Sequence, residues 1–276
     1  MAIIINQIAA KLRDPYYSKT SDEYKRIVVK DVLISHILYF LYNHSEYRKL
    51  NFYGGTCAHV VYDLNRLSED IDLDNGVGVD LTRLGEDLTK FVVNELGIAD
   101  TNVYIQHGEG GIGRWIVRAP ILHELALSPL WSEKLHVKVE ISSHKQVANI
   151  VKTPIVRDGR TMVINHFDKP SLMAGKMLAC LERQWRKAET GAKVKGRDFY
   201  DLLWYVQAEV QPNEEKLASD GDRSYTLKEA WELLEKKIGK LKKKDLARDL
   251  YNFLPDKQFV ESWLDNFLEF YRRGRD

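Results

Sequence analysis

The spacing of apolar residues predicts most of the elements of this chain. Over residues 27–43, IVVKDVLISHILYFLYN, Ile27, Val28, Leu33, Ile37, Phe40 and Leu41 recur at three-and-four spacing, the pattern of an amphipathic helix with one face in the core. The run NFYGGTCAHVVYDLNRLSEDIDLDNG then reads as a short strand, a Gly-Gly turn, a helix and a second strand over Asp70 to Asp74. Helical spacing returns from Leu81 to Leu96. The segments NVYIQH, GRWIVRAPIL, LHVKVEIS and TMVINH are rich in β-branched and aromatic residues with turn formers between them, and predict strands. From Pro170 onward the pattern is helical, at about 171–189, 198–209, 227–241, 244–253 and 256–272. The expected class is α+β. A mixed sheet with flanking helices occupies residues 1–166 and an α-helical bundle occupies 167–276, with the boundary near His166 to Pro170.

Composition narrows the class. A chain of 276 residues with 44% hydrophobic side chains can bury a substantial core. No stretch approaches the roughly 20 apolar residues of a membrane span, and MAIIINQIAAKLRD lacks a cationic flank before its apolar run, so a soluble, unprocessed, cytoplasmic protein is expected. Cys57 and Cys180 stand alone, which leaves no disulfide framework and no CxxC zinc site.

The net charge of +1 averages 41 basic against 40 acidic residues, but the basic ones cluster. Arg183, Arg186, Lys187, Lys193, Lys195 and Arg197 form one group, and Lys236, Lys237, Lys240, Lys242, Lys243 and Lys244 another. Either could neutralise phosphates or form a solvated helix face. The second group, set among Glu229, Glu232, Glu235 and Asp245, fits a solvated face better. The first lies beside residues with catalytic character.

In SEDIDLD the carboxylates Asp70, Asp72 and Asp74 alternate with Ile71 and Leu73, so a strand here projects three acids to one side. Gathered carboxylates repel unless a cation neutralises them, and hard oxygen ligands suit Mg²⁺ or Mn²⁺. An acidic edge strand would show the same alternation. An EF-hand loop is excluded, because its sixth and twelfth positions are occupied by Asn75 and Leu81 rather than Gly and Glu. Upstream, Gly54, Gly55 and Thr56 sit between strand and helix, where backbone N–H groups and the helix N-terminus can cradle a phosphate. Arg66 and Ser68 complete the spacing GGT, helix, RxSxDxD, which is more specific than any of its parts.

GGTCAHVVYDLNRLSEDIDL resembles the first motif of the AbiEii/AbiGii-type toxin nucleotidyltransferases, relatives of the MenT toxins within the DNA polymerase β-like superfamily. Lys176 in KPSLMAGKMLACLERQ fits the helix lysine of that family. Lys195, Arg197, Asp198, Asp201 and Leu202 match its KxRDxxDL segment. Cys57-Ala58-His59 departs from the small or aliphatic residues usual after GGT, a change expected to touch helix packing more than chemistry.

The resemblance implies an NTP-using, metal-dependent enzyme with a polymerase β-like sheet and a helical domain contributing to its cleft. Asp70, Asp72 and a third carboxylate, for which Glu140 in LHVKVEIS is the candidate, would hold Mg²⁺ or Mn²⁺. A cross-strand pair with a basic neighbour is the other reading of Glu140. Gly54, Gly55, Thr56, Ser68, Arg66, Lys195 and Arg197 would contact the nucleotide, Lys176 would neutralise the triphosphate, and Asp198 would orient a basic residue or the nucleotide. Asp198 would otherwise be a helix N-cap. The implied acceptor is RNA, particularly the tRNA 3′ end, and the implied partner an antitoxin. A phosphotransferase or small-molecule nucleotidyltransferase, and a non-catalytic nucleotide- or RNA-binding module, remain alternatives.

Overall fold

A computed structural model of the chain describes residues 3–108, 111–183 and 194–273. The fold is mixed α/β. Two compact units divide the chain, the first formed by Met1–Val61, Leu67–Lys145 and Val151–His166 and the second by Tyr62–Arg66, Gln146–Ile150 and Phe167–Asp276.

The first unit is built on a seven-stranded sheet. Its helices are α1 (Ile3–Arg13), α2 (Pro15–Ser18), α3 (Asp22–Asn43), α4 (Gly54–Tyr62) and α5 (Leu84–Lys90). Its strands are β1 (Asn51–Tyr53), β2 (Asp70–Asp74), β3 (Asn102–His107), β4 (Ile112–Ala119), β5 (Leu135–Ser142), β6 (Ile150–Arg157) and β7 (Arg160–Phe167), in the order β3-β4-β5-β2-β1-β7-β6. β2 runs parallel to β5, β1 runs parallel to β7, and β1–β2, β3–β4 and β4–β5 are antiparallel.

Alternation along the strands decides which face is covered. Ile71, Leu73, Val137, Val139 and Ile141 are buried on one face, while Asp70, Asp72, Lys138 and Glu140 occupy the other and keep some exposure. α3 packs near β5 and α5 near β3 and β4. Ser21 caps α3 by accepting from the Tyr24 amide, and Asp22 and Glu23 complement the dipole of its first turn. α3 departs from the expected single apolar stripe, because its buried residues, from Tyr24 to Tyr42, lie around most of its circumference. The physical reason is a second neighbour: α1 packs against α3 as well as the sheet does. Each large aliphatic side chain buried there contributes about 1.5–3 kcal/mol.

Strand β6 has no counterpart among the predicted elements. Pro154 lies at its centre, and a proline, having no N–H to give a ladder, is tolerated at that place only because β6 is the sheet's edge. Asp158 (φ 47°) and Gly159 (φ 75°) close the β6–β7 hairpin with the left-handed residue pair that two-residue turns require. The Cys57 thiol is fully buried, and burial raises it well above its ordinary pKa.

The second unit contains α6 (Lys169–Glu182), α7 (Gly196–Gln207), α8 (Glu214–Ser219), α9 (Leu227–Ile238), α10 (Lys243–Leu250) and α11 (Lys257–Arg273). α7 packs on α6, α10 and α11. Gly196 permits the α7–α10 contact, since a Cβ there would lie 2.4 Å from the Leu246 carbonyl oxygen. Asp168 caps α6 through the Ser171 amide, and Thr226 with Glu229 forms a capping box on α9. The helix expected at 171–189 is described as far as Glu182, and Arg186, Lys187 and Lys193 lie outside the described residues. Cys180, on α6, is also a free, buried thiol whose pKa burial raises. Among the described residues no helix is long and apolar enough to cross a membrane.

Candidate active site

The parallel register of β2 and β5 sets Asp70 beside Lys138, Asp72 beside Glu140 and Asp74 beside Ser142. Three carboxylates, those of Asp70, Asp72 and Glu140, therefore occupy neighbouring positions on the open face of the sheet. Asp74 does not join them. It is buried, with Oδ2 accepting from Asn51 Nδ2 (3.2 Å) and the Gly76 amide (3.3 Å), and it serves the turn after β2. Burial, and then the charges of Glu69 and Glu140, raise the Asp70 carboxyl above its ordinary value, although Lys138 Nζ, 3.8 Å from Oδ1, pulls the other way.

Glu140 has a basic cross-strand neighbour: Arg114 Nε donates to its Oε1 at 2.8 Å. Arg114 is a site residue that the motifs do not mark. The alternation of Arg114, Ile116 and Arg118 in GRWIVR carries its signal, because it places both arginines on one face of a strand. Among the described residues no group of three or more His, Cys, Asp and Glu side chains is drawn together as a ready-made metal cage. Asp70 and Asp72 nevertheless fit a hard divalent cation in donor chemistry, as neighbouring oxygen donors on one face of β2. Glu140 would have to share itself with Arg114.

The Gly-Gly turn lies on the other side of β2. Tyr53, the last residue of β1, is paired with Asp72, and the chain turns at Gly54 (φ 79°) directly against that carboxylate. A Cβ on Gly54 would lie 2.3 Å from Asp72 Oδ2. Glycine is thus demanded twice, by the backbone angle and by the contact. Gly55 continues into the first turn of α4. The side chains of Thr56 and Ser68, two residues expected to contact a triphosphate, are buried and engaged with each other. Thr56 Oγ1 lies 2.7 Å from Ser68 Oγ and donates to the Asp70 carbonyl, so the pair braces the start of β2 against α4.

In the second unit Arg66, Lys176, Arg183 and Arg197, among the cations expected near phosphates, pair with acids. Arg66, 4% exposed, makes a two-pronged pair with Asp201, Nε–Oδ1 at 2.5 Å and Nη2–Oδ2 at 2.6 Å. Lys176 Nζ is 2.9 Å from both Asp198 Oδ1 and Asp201 Oδ2, and Arg183 Nη1 reaches Asp198 Oδ2 at 2.7 Å. Burial opposes ionisation of both acids. For Asp198 the charges of Lys176, Arg183 and Lys195 prevail, and for Asp201 those of Arg66 and Lys176, holding both below the ordinary carboxylate value.

Asp198 thus orients basic residues, and it does not act as the N-cap of α7, a place taken by Lys195 without a side-chain bond. Burial, with Arg197 next, lowers the Lys195 ammonium. Arg197 donates to Asp249 Oδ2 from its backbone amide (3.0 Å) and from Nε (3.2 Å), and its guanidinium lies 3.6 Å over the Phe253 ring. Asp249 carries no signal in the sequence, since it lies some fifty residues further along the chain.

A family model described as nucleotidyl transferase AbiEii toxin, type IV toxin–antitoxin system, matches residues 37–273. The chain belongs to this family of nucleotidyltransferase toxins. Two solved structures from Helicobacter pylori are similar to it. One, described provisionally as a nucleotidyltransferase, is 19% identical with a TM-score of 0.47, covering 88% of this chain and 93% of its own. The other, JHP933, is 18% identical with a TM-score of 0.47, covering 90% and 93%. No curated protein matches.

Proposed function

We propose that the protein transfers a nucleoside monophosphate from an NTP to an acceptor hydroxyl of RNA, the tRNA 3′ end being the acceptor that family membership suggests, and that it acts as the toxin of a pair with an antitoxin protein. The observation that carries this reading is the contact of the Gly54 turn with Asp72, on the strand where Asp70 and Asp72 stand beside Glu140. A backbone suited to phosphates there meets a carboxylate set suited to Mg²⁺ or Mn²⁺.

In the transfer, the acceptor oxygen forms a bond to the α-phosphorus, the bond to the β-phosphate oxygen breaks, and pyrophosphate leaves. A divalent cation, when bound, neutralises charge on the phosphates and lowers the pKa of the acceptor hydroxyl. Asp70 and Asp72 would hold it. The Gly54 and Gly55 amides position the triphosphate, and Glu140, steadied by Arg114, orients or deprotonates the acceptor hydroxyl. Lys176, Lys195, Arg197 and Asp198 are the further nucleotide contacts that family membership suggests.

Incubation with radiolabelled NTPs, Mg²⁺ and total RNA tests the proposal. Wild-type protein labels RNA, whereas Asp70→Ala reduces labelling to background. Equal labelling by both proteins would refute the assignment.

A further inference from the structure

The open face of the sheet extends beyond the carboxylates, and its continuation has a different chemistry. Following the register outward from β2, the rung of Asp72 continues through Glu140 and Arg114 to Gln106, and the rung of Asp70 through Lys138 and Ile116 to Tyr104. One rung further along, His136 is paired with Arg118, and Arg118 with Asn102. The acids of β2 are therefore flanked on one side by the Gly54 turn and on the other by a strip of basic and aromatic side chains on β5, β4 and β3.

Three features show that this strip carries positive charge with few acids against it. Arg118 lies 4.4 Å over the Tyr104 ring, and among the described residues its Nε has no hydrogen-bond partner and no carboxylate pairs with it. The His136 imidazole is held below its ordinary pKa by burial and then by the charges of Arg118, Lys30, Lys138 and Lys134, although Lys30 is itself paired with Glu69 at 2.9 Å. Among the described residues Lys138 makes only the Asp70 contact, at 3.8 Å. Tyr104 is 43% exposed, on an edge strand without charge or proline to blunt it.

We propose that this strip, formed by Tyr104, Arg118, His136 and Lys138, seats the single-stranded 3′ end of the RNA acceptor and delivers its terminal hydroxyl to the carboxylates. The proposal rests on the reading of the acceptor as RNA. An aromatic ring backed by a guanidinium offers a stacking platform to any base, and the surrounding cations match a phosphate backbone. From β2 to β3 is three strand spacings, about 14 Å, enough for a few nucleotides at the ~3.4 Å rise of a stacked strand. The arrangement also separates the two substrates. The triphosphate approaches from the β1 side and the acceptor from the β5 side, with Asp70 and Asp72 between them.

Binding of a 5′-fluorescein-labelled, single-stranded 12-nucleotide RNA, followed by fluorescence anisotropy on the full chain without NTP, tests this separately from turnover. Loss of one base–aromatic stack is worth a factor of about 5 to 150, so Tyr104→Ala weakens binding at least fivefold, while Tyr104→Phe keeps the ring and binds like wild type. Arg118→Gln weakens binding and flattens the dependence of log K on log[salt] by about 0.7. Asp70→Ala retains RNA binding, and a fluorescent NTP binds Tyr104→Ala as it binds wild type.

The proposal is overturned if wild type does not bind the RNA, if Tyr104→Ala and Arg118→Gln bind it equally well, or if these variants lose only the binding of a protein partner. RNA binding through this strip without any labelling would instead count against the transfer reading alone.

Discussion

Removal of the Asp201 carboxylate is the sharpest test of what holds the second unit together. Asp201 is fully buried and accepts two bonds from Arg66, itself 4% exposed, and one contact from Lys176. A buried pair broken from one side costs about 3–5 kcal/mol, because the remaining charge stays stripped of water without its counter-charge. At about 2–4 °C per kcal/mol for a domain of this scale, Asp201→Ala lowers Tm by about 6–20 °C. Asp201→Asn keeps the volume and one acceptor oxygen and falls between. The double variant Arg66→Met, Asp201→Leu recovers much of the loss, since neither charge then has to be desolvated. The exposed Lys90–Glu86 pair is the control, and Glu86→Gln leaves Tm unchanged. Thermal melts followed by circular dichroism at about 0.05 and 0.5 M salt provide the measurement, and the deficit of Asp201→Ala persists at high salt, where exposed pairs are screened. A Tm for Asp201→Ala within about 2 °C of wild type, less than 1 kcal/mol on the same scale, would refute the assignment of a structural role to this network.

Gly54→Ala forces a Cβ to 2.3 Å from Asp72 Oδ2 at a left-handed backbone angle, costs about 1–3 kcal/mol and lowers RNA labelling on the order of 100-fold by displacing the carboxylate. Thr56→Val removes the donor to the Asp70 carbonyl and costs about 1–3 kcal/mol in a urea titration. Asp31 is held at about 2, against burial, by the His59 hydrogen bond and the Arg157 charge. Its folded value lies below its ordinary 3.8, so it adds about 2 kcal/mol of stability above pH 4 that is lost as pH falls toward 2, and Asp31→Asn abolishes that part of the pH dependence. Burial lowers His36 to about 4, so its contribution is full above pH 6.5 and disappears as pH falls toward 4, a slope absent in His36→Gln. Chelation with EDTA ends labelling and added Mg²⁺ restores it. Labelling that persists in EDTA would sink the metal assignment.

The strands and helices with a clean period are legible in the sequence. β2 and β5 alternate over most of their length because one face is covered and the other open, and that alternation puts Glu140 on the polar face of β5; its place beside Asp72 comes from the parallel register, which the sequence does not show. β6 is not legible, because Pro154 argues against a strand unless its place at the edge is already known. The extent of burial of α3 is hidden for a similar reason: it depends on α1 packing against it, a contact that periodicity within α3 does not encode.

The candidate site divides in the same way. Gly54 against Asp72 follows from a local motif. The pairing of Arg66 with Asp201, 135 residues apart, does not, and an arginine a few residues beyond a phosphate-type turn and helix reads equally well as a ligand contact or a buried counter-ion. Charge type is readable from sequence, but which opposite charge each cation meets is set by tertiary packing.

Burial of both thiols has a practical consequence. Cys57 and Cys180 are the only cysteines in the chain, one in each unit, and neither presents a reactive thiolate at neutral pH. The native protein is therefore already a silent background for maleimide chemistry. A single cysteine introduced at an exposed position, such as Trp131→Cys, becomes the one site that takes a dye or spin label, with no wild-type residue to be removed first.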